Sequence, residues 1–223
     1  MQNIILAGNA ITANILYKYI DIDTRYKIIG FTVDDDYVTT QAPNNLPCIG
    51  LSNIKENFNP QDVKIIMAIG YTKLNTIREK IYLKLKSLGY TIETYVHPNA
   101  TILTTYPIGE GSVIMAGSLI EPDAKVGSNC FLWGNTVIAH NAIVNDNCWI
   151  AAGAVISGMA KIGSNSFIGV NATISNKVEV GSFNIIGGSA FISKNTKNNA
   201  VYLARSAELF RCSATEYDEY FGI

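Results

Sequence analysis

Between residues 138 and 174 the chain reads "IAHNAIVNDNCWIAAGAVISGMAKIGSNSFIGVNATI". An aliphatic residue returns at every sixth place: Ile138, Val144, Ile150, Ile156, Ile162, Ile168 and Ile174. The beat runs back through Leu132, Val126, Ile120, Ile114, Ile108 and Ile102 to Val96, and forward through Val180 and Ile186 to Ile192, without a miss. Four residues after the aliphatic the side chain is usually small, as at Ser112, Ser118, Ala124, Cys130, Thr136, Ala142, Cys148, Ala154, Ala160, Ser166, Ala172 and Ala190. A period of six belongs neither to a helix nor to a single strand, and marks a solenoid.

The physical reading of this hexapeptide repeat is a parallel β-helix of triangular section. Each unit makes a short flat face and a corner, the aliphatic points into the prism, and the small residue shares the narrow interior. Asn129, Asn135, Asn147 and Asn165 fall at corners, where positive φ is needed. Coils of this repeat wind left-handed, an exception to the usual crossover rule. Three units close one coil, so residues 18 apart stack in a column about 4.8 Å apart.

The column Pro122, His140, Gly158, Asn176 carries one of the chain's two histidines; the other, His97, opens the repeat region. His140 lies two residues past its inward aliphatic, so its ring belongs at the outer surface, beside a glycine with no side chain. Two readings stand there. An imidazole can take a proton from an attacking amine or hydroxyl while the Gly158 N–H bonds a developing oxyanion. Otherwise His140 is a surface histidine with no task.

Residues 1–95 follow a different grammar. "NIILAG", "YKIIGFTV" and "VKIIMAIG" read as buried strands, and "ITANILYKYI" and "KLNTIREKIYLKLKSLGY" as amphipathic helices, the second closed by Gly89. That alternation implies a small Rossmann-like parallel sheet that binds ligands at its carboxyl edge. The first loop, "AGNAITAN", supplies Gly8 but not GxGxxG, so a nucleotide loop and an ordinary βα turn both fit it. The expected organisation is a Rossmann-like domain over 1–95, the β-helix over 96–200 and a tail over 201–223.

Composition removes several classes. At 223 residues, 48% hydrophobic and 16% charged, the chain can bury a sizeable core. A net charge of −1 without a basic stripe argues against nucleic acid. No aliphatic run approaches the roughly 20 residues of a membrane span, and "MQNIILAGNA" lacks a signal-peptide pattern. Cys48, Cys130, Cys148 and Cys212 form no CxxC pair, so buried thiols in a reducing cytoplasm are expected, with no metal site.

With the repeat stand "GFTVDDD" at 30–36, "LPCIG" at 46–50, "AIGYTKLNTIREKI" at 68–81 and "HPNATI" at 97–102. Together these resemble the sialic acid O-acetyltransferase (NeuD-type) group of sugar acyltransferases, which includes N-acetyltransferases of nucleotide-linked 4-amino-4,6-dideoxy sugars. The resemblance implies a cytoplasmic homotrimer with active sites between subunits, acetyl-CoA as cosubstrate and a UDP- or dTDP-linked amino sugar as acceptor for surface glycan synthesis. It puts His140 on the catalytic base and Gly158 on the residue that meets the acetyl carbonyl, with Asn176 next to it along the coenzyme. Asp34 and Asp35 fall on the pyrimidine site, and Gly8, Asn9 and Gly70 on the rest of the nucleotide-sugar site. Three departures accompany it. Asn141 follows the base where an acid is frequent, Trp149 stands where some members carry a second histidine, and "YLARSAELF" replaces a terminal GxPA.

Other classes fare worse. A γ-type carbonic anhydrase shares the prism but needs three histidine zinc ligands, and this chain holds two histidines. A sugar nucleotidyltransferase would need a basic glycine-rich loop at the start. A larger acyl group, a hydroxyl acceptor and a non-catalytic trimeric scaffold remain as rivals.

Overall fold

The computed structural model describes residues 1–39 and 42–222; Ile223, the last residue of the expected tail, lies outside them. The N-terminal part is a five-stranded sheet of β1 (Gln2–Ala7), β2 (Tyr26–Val33), β3 (Cys48–Gly50), β4 (Lys64–Met67) and β5 (Thr91–Ile92). All its pairs are parallel, in the order β3-β2-β1-β4-β5. Helices α1 (Ile11–Asp21), α2 (Ile54–Asn57) and α3 (Thr76–Ser87) make the crossovers. Ala13, Leu16, Tyr17 and Ile20 form the buried stripe of α1, at the spacing one helix face requires. The second helix expected from sequence begins later than its pattern suggested. Lys73, Leu74 and Asn75 take φ of 51°, 51° and 63°, a left-handed turn that delays α3 to Thr76.

From Tyr95 the chain becomes a parallel β-helix of two-residue strands on three faces. The first face stacks Tyr95–Val96, Val113–Ile114, Phe131–Leu132, Trp149–Ile150, Phe167–Ile168, Ile185–Ile186 and Val201–Tyr202. The second runs from Thr101–Ile102 through Val137–Ile138 to Phe191–Ile192, and the third from Lys125–Val126 through Ile143–Val144 to Glu179–Val180. The ladders pair residues 18 apart, as with Val137 on Val155 and Ile143 on Lys161, until the last rung, where Ile185 pairs with Val201, 16 residues on. The every-sixth aliphatics from Ile114 to Ile192 are all buried and form one continuous core. Each isoleucine so buried contributes on the order of 1.5–3 kcal/mol.

Polar members of the small inward column are satisfied inside the prism. The Ser112 hydroxyl donates to Gly127 O at 2.7 Å and accepts from Cys130 N–H at 2.9 Å. Cys130 and Cys148 are buried in that column as free thiols. Positive φ at Asn129 (53°), Asn135 (60°), Asn147 (59°) and Asn165 (57°) explains asparagine there, the residue besides glycine that tolerates this region best.

The sheet domain is welded to the first face. Its Ile4, Leu6, Leu16 and Phe31 share one apolar cluster with Tyr95, Val113, Met115, Phe131 and Trp149. Arg78 of α3 is fully buried at this seam. Its guanidinium donates to Asn129 Oδ1 at 2.9 Å, Ile69 O at 3.1 Å and Cys130 O at 3.3 Å, and lies 5.4 Å from the Phe131 ring centroid. Burial pulls its pKa down to about 10, so it stays cationic at neutral pH and the surrounding carbonyls carry its charge. The tail ends in α4 (Ala214–Phe221), opened by a Ser213–Glu216 capping box. None of its residues is buried, so α4 does not cap its own prism.

Candidate functional site

His140 sits in the turn between Val137–Ile138 and Ile143–Val144, which is the corner shared by the second and third faces. In a three-sided prism that corner is opposite the first face, where the sheet domain docks. The imidazole is exposed and leans on the coil above. A Cβ built on Gly158 would meet His140 Nε2 at 2.5 Å, so the ring occupies space that any other residue at 158 would claim.

The ring's other nitrogen, Nδ1, lies 3.3 Å from Asn141 Oδ1. With the proton on Nδ1 donated to that amide oxygen, Nε2 keeps its lone pair and faces Gly158. Asn141 itself has φ 57°. The position after the histidine is thus a left-handed corner, which accounts for asparagine there. The His140 N–H donates to Glu121 Oε2 at 2.7 Å. Above it, Gly158 O accepts from Lys177 N–H at 3.0 Å, while the Gly158 N–H meets no acceptor among the described residues. Asn176, one coil further, is exposed.

The remaining candidates gather at the carboxyl edge of the sheet, where β1, β2 and β4 end side by side. Gly8 has φ +127°, and a Cβ there would strike Ala68 O at 2.6 Å; the turn therefore demands glycine for its own sake. The Asn9 side chain donates to Tyr37 O at 2.7 Å and so ties the loop after β1 to the loop after β2. Asp34 precedes a 3₁₀ turn at Asp35–Tyr37 and is half-buried. Asp35 Oδ1 accepts from Ser52 N–H at 3.2 Å and from its hydroxyl at 2.8 Å, which commits that oxygen to the β3 side. Gly70 has ordinary room, with Thr12 Oγ1 3.5 Å from a built Cβ. Sequence reading missed the rim of this edge, where Ile11, Tyr37 and Tyr71 are exposed. Tyr71 packs on Trp149 and Phe167, ring centroids 5.2 and 4.8 Å away.

The two groups of candidates therefore do not meet within one chain. His97, by contrast, belongs to neither group. Its Nδ1 accepts from Asn99 N–H at 3.0 Å, its ring stands edge-on to Tyr19 at 5.4 Å, and burial lowers its pKa. Among the described residues no three His, Cys, Asp or Glu side chains gather in metal-binding geometry.

Comparison with known proteins agrees with this architecture. Residues 108–140 and 123–158 match the family model described as bacterial transferase hexapeptide (six repeats), and residues 159–191 match the hexapeptide repeat of succinyl-transferase. No curated protein matches the chain. Among solved structures, the acetyltransferase domain of PglB from Neisseria gonorrhoeae FA1090 in complex with acetyl coenzyme A superposes with a TM-score of 0.81 at 24% identity, over 91% of this chain and 96% of that one. A histidine-to-asparagine mutant of perosamine N-acetyltransferase from Caulobacter crescentus, in complex with CoA and GDP-perosamine, gives 0.80 at 20% identity over 92% and 94%. WeeI from Acinetobacter baumannii AYE gives 0.77 at 20% over 92% and 97%. Fold and repeat together define a hexapeptide-repeat β-helix protein. Its particular form, a small parallel sheet domain followed by the prism, is the one these three structures share over nearly their whole length.

Proposed function

We propose that this chain is an acetyl-CoA-dependent N-acetyltransferase acting on the amine of a nucleotide-linked 4-amino-4,6-dideoxy sugar, for surface glycan synthesis. The observation that carries the reading is His140 Nε2 lying against the bare backbone of Gly158, whose N–H is free to donate. In the reaction the sugar amine attacks the thioester carbon and its proton passes to Nε2. The Gly158 N–H holds the oxyanion of the tetrahedral intermediate. The C–S bond then breaks and the thiolate of CoA leaves, taking back the proton. Acetyl-CoA would run along the column at Gly158 and Asn176. An amine needs less activation than a hydroxyl, which suits an imidazole partnered by the neutral amide of Asn141.

The nucleotide would lie at the carboxyl edge of the sheet, the usual ligand crevice of such folds. Asp34 and the free oxygen of Asp35 offer acceptors to a pyrimidine N–H, Gly8, Asn9 and Gly70 shape the floor, and the rim aromatics give apolar walls. The solved relatives bound to acetyl coenzyme A, or to CoA with GDP-perosamine, support donor and acceptor class by analogy of fold.

Because His140 and this edge face apart, acceptor held by one copy would meet the histidine of another, in a homotrimer. The second face supports such contact. Its outward column of Leu119, Val137, Val155, Thr173 and Phe191 is largely apolar, whereas the third face shows Lys125, Ile143, Lys161 and Glu179.

The test is thiol release from acetyl-CoA against UDP-, dTDP- and GDP-linked 4-amino-4,6-dideoxy sugars and their 4-hydroxy counterparts. Release with an amino sugar and none with its hydroxy twin is the expected result. Release with the hydroxy sugars alone would replace the reading by O-acetylation, and release with longer acyl-CoAs only would change the donor. Silence with every donor and acceptor would favour the scaffold.

A further inference from the structure

We infer that Glu121 is a positioning residue for His140, an inference that rests on the reading above. In this corner the ladder uses the N–H groups on either side of His140. Ala139 N–H donates to Ile156 O at 2.9 Å and Asn141 N–H to Pro122 O at 3.2 Å. The His140 N–H between them has no backbone acceptor, and the carboxylate of Glu121 reaches over from the coil below to take it at 2.7 Å. A hydrogen bond to a full negative charge is shorter and stronger than a neutral one.

The neighbouring sequence aims that carboxylate. Pro122 fixes its own φ and holds Glu121 extended, so the side chain leaves the coil at a set angle. Pro122 also lacks an N–H of its own and cannot compete for the carboxylate. The cap is not a routine feature of the column, since the equivalent N–H of Gly158 carries none among the described residues. His140 is thereby held from three sides: Glu121 grips its backbone from below, Asn141 meets Nδ1 in the same coil, and Gly158 admits the ring from above. A lone surface corner would gain little from such definition. A base that must meet an amine at hydrogen-bond distance gains a great deal, because displacement by about 1 Å costs on the order of a hundredfold in rate.

The experiment compares Glu121→Ala and Glu121→Gln with Asp146→Ala. Asp146 makes the same kind of cap at a different corner, accepting from Ser128 N–H at 2.7 Å. On the full chain, kcat, both KM values and the thermal midpoint are measured, together with the ¹⁵N–¹H spectrum of the histidine rings, which is simple because there are two histidines. Glu121→Ala should lower kcat roughly ten- to a hundredfold with KM unchanged. Glu121→Gln, which keeps an acceptor oxygen, should recover most of it, and Asp146→Ala should move only the thermal midpoint. In Glu121→Ala the His140 ring signals should shift while those of His97 stay. Equal kcat in Glu121→Ala and wild type with an unchanged His140 signal, or an equal loss in Asp146→Ala, would overturn the inference. If the wild type transfers no acyl group at all, the functional reading falls by itself and the ring spectra still decide whether Glu121 sets the imidazole.

Discussion

The prism has one interior rule and two unlike outsides. On the first face, the residues that stack 18 apart are Tyr95, Val113, Phe131, Trp149 and Phe167, and the sheet domain extends its core across them. At the corner across from that face the column is Pro122, His140, Gly158, Asn176, exposed except at Gly158, and short of side chains just where an imidazole leans. Both surfaces are built on the same inward aliphatics. A scaffold that repeats its core in every coil leaves its outward positions free, and here one column docks the sheet domain while another is the one proposed for chemistry.

That division can be broken at the docking side first, where the largest effect is expected. Arg78→Ala would remove the guanidinium and leave the Ile69 carbonyl and the Asn129 amide oxygen at the seam without their donor, while Cys130 O would keep its bond from Val113 N–H at 2.9 Å. A loss of about 1–3 kcal/mol for each orphaned acceptor is expected, read as an early transition of the whole chain in denaturant. An unchanged transition would mean that the seam does not hold the two parts together. Next comes the corner proposed to react. Gly158→Ala puts a methyl where His140 Nε2 lies, so acetyl transfer should fall by about a hundredfold while folding, followed by circular dichroism, stays intact. Full activity in that variant would show that the ring does not work from its seat over residue 158.

The two histidines sharpen the contrast further. His97 accepts a hydrogen bond at Nδ1 and must carry its proton on Nε2, whereas His140 facing Asn141 Oδ1 should carry its proton on Nδ1. Ring ¹⁵N shifts near pH 8 should report opposite tautomers; two alike would contradict the arrangement. The smallest effect is on stability against pH. Burial lowers the His97 pKa below its ordinary value, so the folded state binds this proton less readily than the unfolded chain. Its contribution is whole above the unfolded value of about 6.5 and fades as pH falls through the folded one. A His97→Asn variant should therefore show a shallower loss of stability than wild type below about pH 6.5.

How much of this was legible in the sequence follows the same division. The prism was, because each coil restates its rule: the sixth-residue aliphatics from Ile114 on are buried, with Val96, Ile102 and Ile108 only partly covered in the opening coil, and the asparagines named for corners do sit at positive φ. The exposed seat of His140 beside Gly158 followed from counting alone. The docking face was written just as plainly at a spacing of 18, in Phe131, Trp149 and Phe167, but reading only the inward positions passes over it. Arg78 could not be found this way, since an arginine in "NTIREKIYLKLKS" reads as the wet side of α3 until a second domain covers it. The left-handed turn at Lys73–Leu74–Asn75 contains no glycine to announce it. Tertiary contacts hold it instead, with Tyr71 on the aromatic face and Asn75 Nδ2 donating to Ser166 O at 3.5 Å. Glu121 escaped for a related reason, as nothing in its own hexapeptide shows which neighbour its carboxylate will reach.

The most direct measurement is the turnover of His140→Ala beside wild type, on whichever acceptor releases CoA thiol fastest, with circular dichroism confirming the fold of both. The account predicts a loss of about a hundred- to ten-thousandfold in kcat, with KM for acetyl-CoA little changed. Turnover within a few fold of wild type would contradict it, leaving His140 a bystander at an exposed corner.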